Sequence, residues 1–270
     1  MSKFAVLGYG VVGSGVVELF YKNKEKIEKK AGHEMDVKYI LDIREFPDSP
    51  YADKFVKSID DIVGDSEITA AAECMGGVEP AFTFVKRALE AGKSVCTSNK
   101  ALVAAHGAEL LAMAKERSLN FMFEASVGGG IPIIRPLNQA LTADEITKIT
   151  GIMNGTTNYI LTKMSNDGSS YEEVLKEAQA LGYAERNPEA DVEGYDACRK
   201  IAILTSLADG RTVNFEEITT EGITKISNED FAYARKLNSV IKLLATSYRK
   251  DGKVYACLLY TSDAADEARS

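Results

Sequence analysis

The chain has 270 residues, of which 45% are apolar and 27% are charged, with 21 glycines and 6 prolines. This mixture is typical of globular proteins and excludes disordered, collagen-like and low-complexity chains. The 32 basic and 40 acidic side chains give a net charge of −8 without a concentrated basic stretch, so nucleic acid and anionic membrane surfaces are not expected partners.

Residues 3–128 alternate short apolar runs with amphipathic stretches at helical spacing, which predicts a doubly wound, Rossmann-type α/β unit with a parallel sheet. The predicted strands are 4–7, 37–41, 68–74, 94–97 and 121–123. The predicted helices are 13–30, 59–63, 79–91 and 106–117.

Three consecutive glycines at 128–130, followed by Ile131 and Pro132, cannot continue a helix or a central strand. This break predicts a division into a dinucleotide-binding unit, 1–128, and an α+β unit, 129–256. In the second unit we predict a strand at 145–153 and helices at 156–164, 171–181 and 192–207, with Ser169 or Ser170 as N-cap of the second helix.

A glycine-rich loop follows the first predicted strand and opens the first predicted helix. Gly8, Gly10 and Gly13 have the GxGxxG spacing, and Val11 and Val12 complete the motif. The first glycine permits a tight turn, the second lets the backbone approach a pyrophosphate, and the third lets the helix pack on the strand. The helix N-terminus adds N–H groups and a positive dipole. The loop therefore predicts a dinucleotide site, the alternative being a tight turn without a ligand.

The end of the second predicted strand carries two residues that bear on the choice of dinucleotide. Asp42 could accept a hydrogen bond from the ribose 2′-hydroxyl of NAD, whereas Arg44 could pair with the 2′-phosphate of NADP. The two side chains could also form a solvated ion pair at a strand end. The sequence favours NADP slightly and leaves NAD open.

The densest polar stretch lies at 178–200. Asp191 suits the N-cap of the helix predicted after it. Asp196 and Lys200 stand at i and i+4 on one helix face, where a carboxylate can orient an ammonium group. An isolated exposed pair of this kind stabilises a helix by only about 0.3–0.5 kcal/mol. The spacing alone therefore fits either a functional pair or a surface salt bridge.

Several stretches together resemble the homoserine dehydrogenase family. Residues 178–200 carry Ala178, Gly-Tyr-Ala at 182–184, Asn-Pro at 187–188, Asp-Val-x-Gly-x-Asp at 191–196 and Lys200, which fit the family signature position by position. Residues 97–103 and 151–159 agree as well, and with the glycine loop and 124–136 the resemblance covers about residues 3–256. It implies reversible, nicotinamide-dependent reduction of L-aspartate 4-semialdehyde to L-homoserine, a step toward threonine and methionine.

The resemblance also implies roles for individual residues. Lys200 would be the general acid that meets the negative charge built on the aldehyde oxygen by hydride delivery, and Asp196 would orient it. The oxidative direction would need a neutral lysine and should gain from higher pH. Further residues would be Gly76 and Lys100 beside the cofactor, and Gly155, Thr156, Tyr183, Glu185 and Asp191 at the amino-acid site, with Glu185 receiving the α-ammonium.

Members of this family also bind a monovalent cation such as sodium beside the glycine-rich segment, and Glu124, Val127, Gly129 and Ile131 match those positions. One carboxylate and several backbone carbonyls suit a hard cation of low charge. Glu124 could instead be an ordinary carboxylate of this segment. The resemblance further implies a homodimer through the second unit in a complete chain.

Cysteine usage and the start of the chain predict a cytoplasmic protein. Four scattered cysteines without a CxxC pair predict buried, reduced thiols: Cys74, Cys96, Cys198 and Cys257. The chain opens without a secretory leader, and it has no run of ~20 apolar residues. With only two histidines, no histidine metal cluster is expected.

The resemblance ends at residue 256, and residues 257–267 look like the translation of a transposase-end sequencing adapter. We expect 257–270 to be a non-native tail on a truncated family member, the alternative being a genuine acidic, alanine-rich tail. A chain of this kind is expected to have little activity with aspartate semialdehyde and NADPH. Two other functions stay open, namely another amino-acid-aldehyde reductase and a catalytically silent nucleotide-binding module.

Overall fold

The structure, a computed structural model, describes residues 1–264, with side chains up to residue 260. It divides into two compact units, Met1–Ile134 and the part that starts at Arg135. The sequence predicts the change of architecture at the glycine-rich segment 128–132, and the first unit ends just after that segment.

The first unit is built on a six-stranded parallel sheet in the order β3-β2-β1-β4-β5-β6. Its strands are β1 (Ser2–Leu7), β2 (Met35–Leu41), β3 (Phe55–Val56), β4 (Ile68–Glu73), β5 (Ser94–Thr97) and β6 (Phe121–Met122). Its helices are α1 (Val11–Lys22), α2 (Lys24–Ala31), α3 (Asp60–Val63), α4 (Ala81–Glu90) and α5 (Lys100–Glu116). The strand order reverses between β1 and β4, which confirms the doubly wound α/β fold.

Successive residues of the central strand β1 pack on opposite faces of this sheet. Leu7 joins a buried cluster with Ile62 of α3, whereas Val6 joins a second cluster with Val17 and Phe20 of α1. A strand covered on both faces needs apolar residues on both, which is why residues 4–7 of β1 are a continuous apolar run, Phe-Ala-Val-Leu.

Three elements of the first unit differ from their predictions. The predicted helix 13–30 is two helices, because Asn23 leaves the helical region (φ −116°, ψ 16°) and its Nδ2 donates to the Leu19 carbonyl at 3.0 Å. Helix α5 starts at Lys100, since the side chain of Asn99 accepts the Leu102 N–H and caps the helix six residues earlier than predicted. Strand β3 was not predicted, because two residues at a sheet edge show no periodicity.

The second unit contains a four-stranded mixed sheet in the order β7-β9-β10-β8. Its strands are β7 (Lys148–Gly151), β8 (Thr219–Thr220), β9 (Ser239–Lys250) and β10 (Lys253–Ala264). Its helices are α6 (Gly155–Asp167), α7 (Tyr171–Ala180), α8 (Glu189–Val192), α9 (Tyr195–Asp209) and α10 (Asn228–Lys236). Buried residues of α6, α9, β9 and β10 form its core, including Ile160, Leu161, Ile201, Leu243 and Leu258. This confirms the α+β architecture.

The helix predicted at 192–207 begins at Tyr195 instead. Gly194 precedes it with φ +85°, and a Cβ there would lie 2.4 Å from Leu258 Cδ2, so this position needs glycine and interrupts the helix. The prediction that Asp191 is the N-cap is therefore wrong, because Asp191 lies inside α8. The predicted strand 145–153 is shorter, Lys148–Gly151, and Ser170 rather than Ser169 caps α7 through a capping box with Glu173.

Residues 257–264 of the predicted non-native tail continue β10, which pairs with β9 in antiparallel register up to Ala264. Leu258 is fully buried. Strand pairing shows the conformation of this segment and not its origin, so the foreign-tail hypothesis stays a prediction. Resequencing the locus tests it, since recovery of the same residues in an adapter-free read would contradict the hypothesis. Residues 265–270 lie outside the described residues.

All four cysteines are free thiols, and Cys198 is buried as expected. Cys96 is exposed, contrary to the prediction, because it pairs with Met122 on a sheet face where the Met122 side chain is itself 52% exposed. Among the helices within residues 1–264, none combines the length and the apolar character needed to cross a membrane.

Candidate functional site

The glycine-rich loop has the geometry that dinucleotide binding requires. Gly8 has φ +93°, a left-handed conformation that glycine adopts without strain. A Cβ at Gly13 would lie 1.8 Å from the Gly8 carbonyl oxygen, so only glycine lets α1 start this close to β1. Gly10 has open space where a Cβ would stand, and Val11, the first helical residue, is 93% exposed. The backbone of 8–13 therefore presents an open cradle at a helix N-terminus, which fits a pyrophosphate.

Asp42 and Arg44 form one compact network behind this loop. Both Asp42 carboxylate oxygens accept from Arg44: Oδ1 from the main-chain N–H at 2.9 Å and Nε at 3.0 Å, and Oδ2 from Nη2 at 2.9 Å. Asp42 Oδ2 also accepts the Tyr9 N–H at 2.8 Å, which fixes the glycine loop. These bonds hold the pKa of the Asp42 carboxyl well below its usual range. Asp42 is buried, whereas the Arg44 side chain is 59% exposed.

Lys57 is a residue near this network that sequence reasoning missed. Its Nζ donates to the main-chain oxygens of Ile43 at 3.1 Å and Arg44 at 2.6 Å. A second cation thus stands beside the Arg44 backbone. Spacing along the chain gives no signal for it, because Lys57 follows β3, which was itself not predicted.

The loops after β4 and β5 carry the other two cofactor candidates of the first unit. Gly76 has open space where a Cβ would stand, so the backbone is accessible there. Lys100 is the first residue of α5, directly after the N-cap Asn99. Both residues lie at the carboxyl ends of their strands, the edge of the sheet at which ligands of this fold class bind.

The candidate cation residues lie in the segment that follows β6. Glu124 Oε1 accepts the main-chain N–H groups of Ile133 at 2.6 Å and Ile134 at 2.9 Å. The intervening chain folds tightly, since Ile131 N–H donates to the Gly128 carbonyl at 3.0 Å and Gly129 has φ +59°. Val127 is buried, and Ile131 is 73% exposed. Glu124 Oε1 thus binds the backbone of this segment, an arrangement compatible with either of its two predicted roles.

Lys200 and Asp196 meet on α9 in the second unit, as the i and i+4 spacing predicts. Lys200 Nζ lies 2.7 Å from Asp196 Oδ2 and donates to the Met153 carbonyl at 2.9 Å. The side chains are only 16% and 4% exposed, so this is a largely buried pair and not a surface salt bridge. Moving both charges out of water costs free energy, so a buried pair of this kind is weak evidence for a stabilising role.

Asn154 joins Asp196 to Asp191 and was not predicted as a site residue. Its Nδ2 donates to Asp191 Oδ1 at 2.7 Å and to Asp196 Oδ2 at 3.2 Å, while its Oδ1 accepts the Thr157 N–H and caps α6. Asn154 follows Met153, whose carbonyl binds Lys200. The turn before α6 therefore positions both members of the lysine pair. Asparagine is a common helix N-cap, but nothing in the local sequence around Asn154 reveals its bonds to the two aspartates.

The remaining substrate candidates lie around the start of α6. Thr156 Oγ1 donates to the Tyr183 carbonyl at 2.8 Å, which joins α6 to the loop after α7. The Tyr183 ring packs edge-on against Tyr159, with centroids 5.1 Å apart. Glu185 is exposed, and its carbonyl accepts from Gln179 Nε2 at 3.0 Å. The Glu185 carboxylate is thus held on an ordered loop.

Fold and loop geometry define a two-unit protein of the dinucleotide-binding class. The family model for the homoserine dehydrogenase NAD binding domain matches residues 8–124, and the model for homoserine dehydrogenase matches residues 132–266. The chain belongs to the homoserine dehydrogenase family.

Individual relatives agree with this assignment. The chain is 42% identical over 256 residues to homoserine dehydrogenase of Bacillus subtilis, with 93% of this chain and 59% of the relative covered. The crystal structure of a homoserine dehydrogenase from Thiobacillus denitrificans matches with a TM-score of 0.90 and 39% identity, over 97% of this chain and 61% of that one. That of S. aureus matches with a TM-score of 0.84 and 33% identity, over 98% and 66%. The chain thus spans about three fifths of the length of the curated relatives it matches.

Proposed function

We propose that this protein interconverts L-homoserine and L-aspartate 4-semialdehyde with a nicotinamide dinucleotide. The observation that carries the proposal is the buried Lys200–Asp196 pair, bonded to the Met153 carbonyl. Family membership supports the choice of substrate. In this proposal the first unit binds the dinucleotide and the second binds the amino acid.

The hydrogen bonds of the Lys200 ammonium group support a role as general acid. An ammonium group has three N–H bonds, and Asp196 and the Met153 carbonyl accept two of them. The third can be donated to a substrate oxygen. A dinucleotide held by the glycine loop would supply a hydride to the aldehyde carbon. Lys200, as a donor fixed beside the aldehyde oxygen, would lower the barrier by stabilising the negative charge that builds there. Lys200 then gives its proton to the alkoxide and homoserine forms.

The α-ammonium group of the substrate needs a partner in the second unit. We assign the α-ammonium group to Glu185, whose loop is joined to α6 through the bond from Thr156 to the Tyr183 carbonyl. Gly155, Thr156 and Tyr183 line the same amino-acid site in this proposal. Asp191 contributes by accepting from Asn154, which also binds Asp196.

A semialdehyde assay tests the proposed function. We expect oxidation of NADPH to depend on L-aspartate 4-semialdehyde, and the reverse reaction to depend on L-homoserine and to gain from higher pH. The assay should use the 270-residue chain in parallel with the chain read from the genomic locus. Equal rates with a semialdehyde one methylene longer would support another amino-acid-aldehyde reductase. Dinucleotide binding with no turnover in either chain would support the silent module.

The network at Asp42 supports NADP over NAD. Arg44 and the Tyr9 N–H occupy both Asp42 oxygens, so the carboxylate is not presented to a ribose 2′-hydroxyl. The exposed Arg44 guanidinium, with Lys57 beside its backbone, instead suits a 2′-phosphate.

We therefore expect Arg44→Ala to weaken NADPH binding about 10- to 100-fold, the strength of a hydrogen bond between charged groups. Binding of NADH should be unchanged or improved, because both Asp42 oxygens lose their Arg44 side-chain partner. Fluorescence titration with each dinucleotide measures the two constants. Arg87→Ala is the matched control, since Arg87 forms an exposed ion pair with Asp60 in the same unit. An equal loss of affinity for NADPH and NADH in the Arg44 variant would contradict the NADP assignment.

We further propose a monovalent cation such as sodium at Glu124, Val127, Gly129 and Ile131. The tight fold of 128–131 supports this, since it brings several carbonyl groups into a short segment that Glu124 also binds. Replacing sodium by tetramethylammonium at constant ionic strength should lower the thermal stability of the protein. Identical unfolding curves in the two salts would contradict the cation site.

We also propose that the protein acts as a homodimer through its second unit in the cytoplasm. The exposed, stacked rings of Tyr248 and Tyr255, on the paired strands β9 and β10, support an interface on this sheet. The four free thiols support a reducing compartment. Sedimentation equilibrium tests the dimer, and cell fractionation tests the location.

A further inference from the structure

Glu73 is a fully buried carboxyl at the end of β4 that the proposed chemistry does not use. Its Oε1 accepts the Met75 N–H at 2.7 Å, and its Oε2 accepts a hydrogen bond from the Thr97 hydroxyl. The side chain of Asn99 is a third partner. All of these partners are neutral, and burial raises the pKa of the carboxyl. A buried carboxyl with neutral partners is costly to retain, which argues for a specific role.

The partners of Glu73 belong to two different loops at the carboxyl edge of the sheet. Met75 follows β4 and packs against the glycine loop, since a Cβ at Gly8 would lie 2.7 Å from Met75 Cγ. Thr97 ends β5, and its hydroxyl accepts the Asn99 N–H at 2.9 Å. Glu73 therefore joins the loop that borders the glycine motif to the turn that precedes α5.

Asn99 completes this network. Its Nδ2 donates to the Gly77 carbonyl at 2.6 Å, which ties the two loops together a second time. Its Oδ1 accepts the Leu102 N–H and caps α5, so it sets the start of the helix whose first residue is Lys100. The position of Lys100 and the path of the backbone at Gly76 thus depend on one buried network centred on Glu73.

This network stands on one side of the proposed dinucleotide site. In doubly wound sheets the pyrophosphate binds at the first strand–helix turn and the adenosine ribose binds at the end of the second strand. The nicotinamide half therefore extends over the other side of the sheet, where β4 and β5 end. Glu73, Thr97 and Asn99 stand on that side, whereas Asp42 and Arg44 stand on the adenosine side.

We propose that Glu73 is a positioning residue for the nicotinamide half of the cofactor. Its carboxyl holds the loop after β4 and the turn before α5 in one arrangement, through Met75, Thr97 and Asn99. The inference rests on the proposed use of a nicotinamide dinucleotide and adds a residue to it. If the inference is right, loss of the carboxyl weakens binding of the nicotinamide half of the dinucleotide and leaves binding of the adenosine half unchanged.

Two variants test this role from opposite ends of the same hydrogen bond. Glu73→Gln keeps the size of the side chain but places an amide N–H where Thr97 and Asn99 donate. Thr97→Val keeps the shape of a β-branched residue in β5 and removes the hydroxyl. For each variant, dissociation constants are measured for NADPH and for adenosine 2′,5′-bisphosphate, which lacks the nicotinamide half.

We expect both variants to bind NADPH about 10-fold more weakly, the effect of one buried polar group without a partner. Both should bind adenosine 2′,5′-bisphosphate as the wild-type chain does. Lys93→Met is the matched control. Lys93 is also buried and donates to the Asp65 and Ile68 carbonyls at 2.7 and 2.9 Å, but it precedes β5 at the opposite end of the strand. This control should leave both dissociation constants unchanged even if it lowers stability.

Unchanged NADPH binding in both variants would overturn the inference. An equal loss of affinity for the two ligands, or the same loss of NADPH affinity in the Lys93 control, would show a general structural effect. Either result would overturn the inference as well. A wild-type chain that binds neither NADPH nor NADH would overturn the proposed function itself. Failure of the proposed function and failure of the positioning role are therefore separate results.

Discussion

Replacing Lys200 by Met is expected to lower turnover about 10²- to 10⁴-fold while NADPH binding is retained, because the substitution removes the proton donor for the aldehyde oxygen. The measurement is the rate of aspartate-semialdehyde reduction by the chain read from the genomic locus, with NADPH titration in parallel. The size of the effect follows from the position of the amine, which is largely buried against Asp196 and the Met153 carbonyl.

Loss of the lysine leaves the Asp196 carboxylate buried without its cation, which can destabilise the second unit by several kcal/mol. A second variant, Lys200→Arg, keeps a positive charge beside Asp196 and does not give up a proton in proteins. Turnover should therefore fall in this variant too, at near-normal stability.

Lys163→Met is the control for loss of a lysine in the same unit. Lys163 lies on α6 and pairs with Asp167 at 3.0 Å and Glu177 at 3.2 Å. The turnover of the Lys163→Met variant should match that of the wild-type chain. Full activity in both Lys200 variants would remove the main support for the proposed reaction.

Replacing Gly13 by Ala is expected to abolish dinucleotide binding and to destabilise the first unit. The added methyl carbon would lie 1.8 Å from the Gly8 carbonyl oxygen, so β1 and α1 must separate. Overlap with backbone cannot be relieved by a side-chain rotation, and the cradle that faces the pyrophosphate is lost with the helix position. NADPH titration and thermal unfolding measure the two effects.

The same helix offers a matched control. A Cβ at Gly15 would have open space around it, and the residue is helical. Gly15→Ala should therefore stabilise the unit by about 0.5–1 kcal/mol and leave NADPH binding intact, since alanine is the better helix former. A Gly13 variant that binds NADPH as well as the Gly15 variant would contradict the assignment of the loop.

The elements that the sequence predicts well are those with a local cause. Strand β1, the glycine loop and α1 follow one another directly in the chain. The spacing of the glycines predicts where the chain turns from strand to helix. Asp196 and Lys200 meet because an α-helix brings i and i+4 together on one face. The hairpin of β9 and β10 has a local cause as well, since Asp251 and Gly252 both adopt positive φ in an Asp-Gly turn.

Errors of prediction arise where a distant contact decides the local structure. The predicted helix at 192–207 begins late because Leu258 of β10 fills the space beside Gly194. Strand β3 exists because β2 offers it a partner. Asp191 bonds to Asn154 instead of capping a helix, since the turn before α6 packs beside α8.

The sequence by itself determined the fold class, the glycine loop, the Lys200–Asp196 pair and the family. Each of these depends on residues that are close along the chain or on a motif or periodicity that can be recognised in the sequence alone. Only the tertiary structure decided that Asp42 binds the Tyr9 N–H of the glycine loop, that Asn154 bridges two aspartates, and that Glu73 joins two loops. Hydrogen bonds between residues far apart in the chain depend on three-dimensional distance and direction, and spacing along a sequence carries neither.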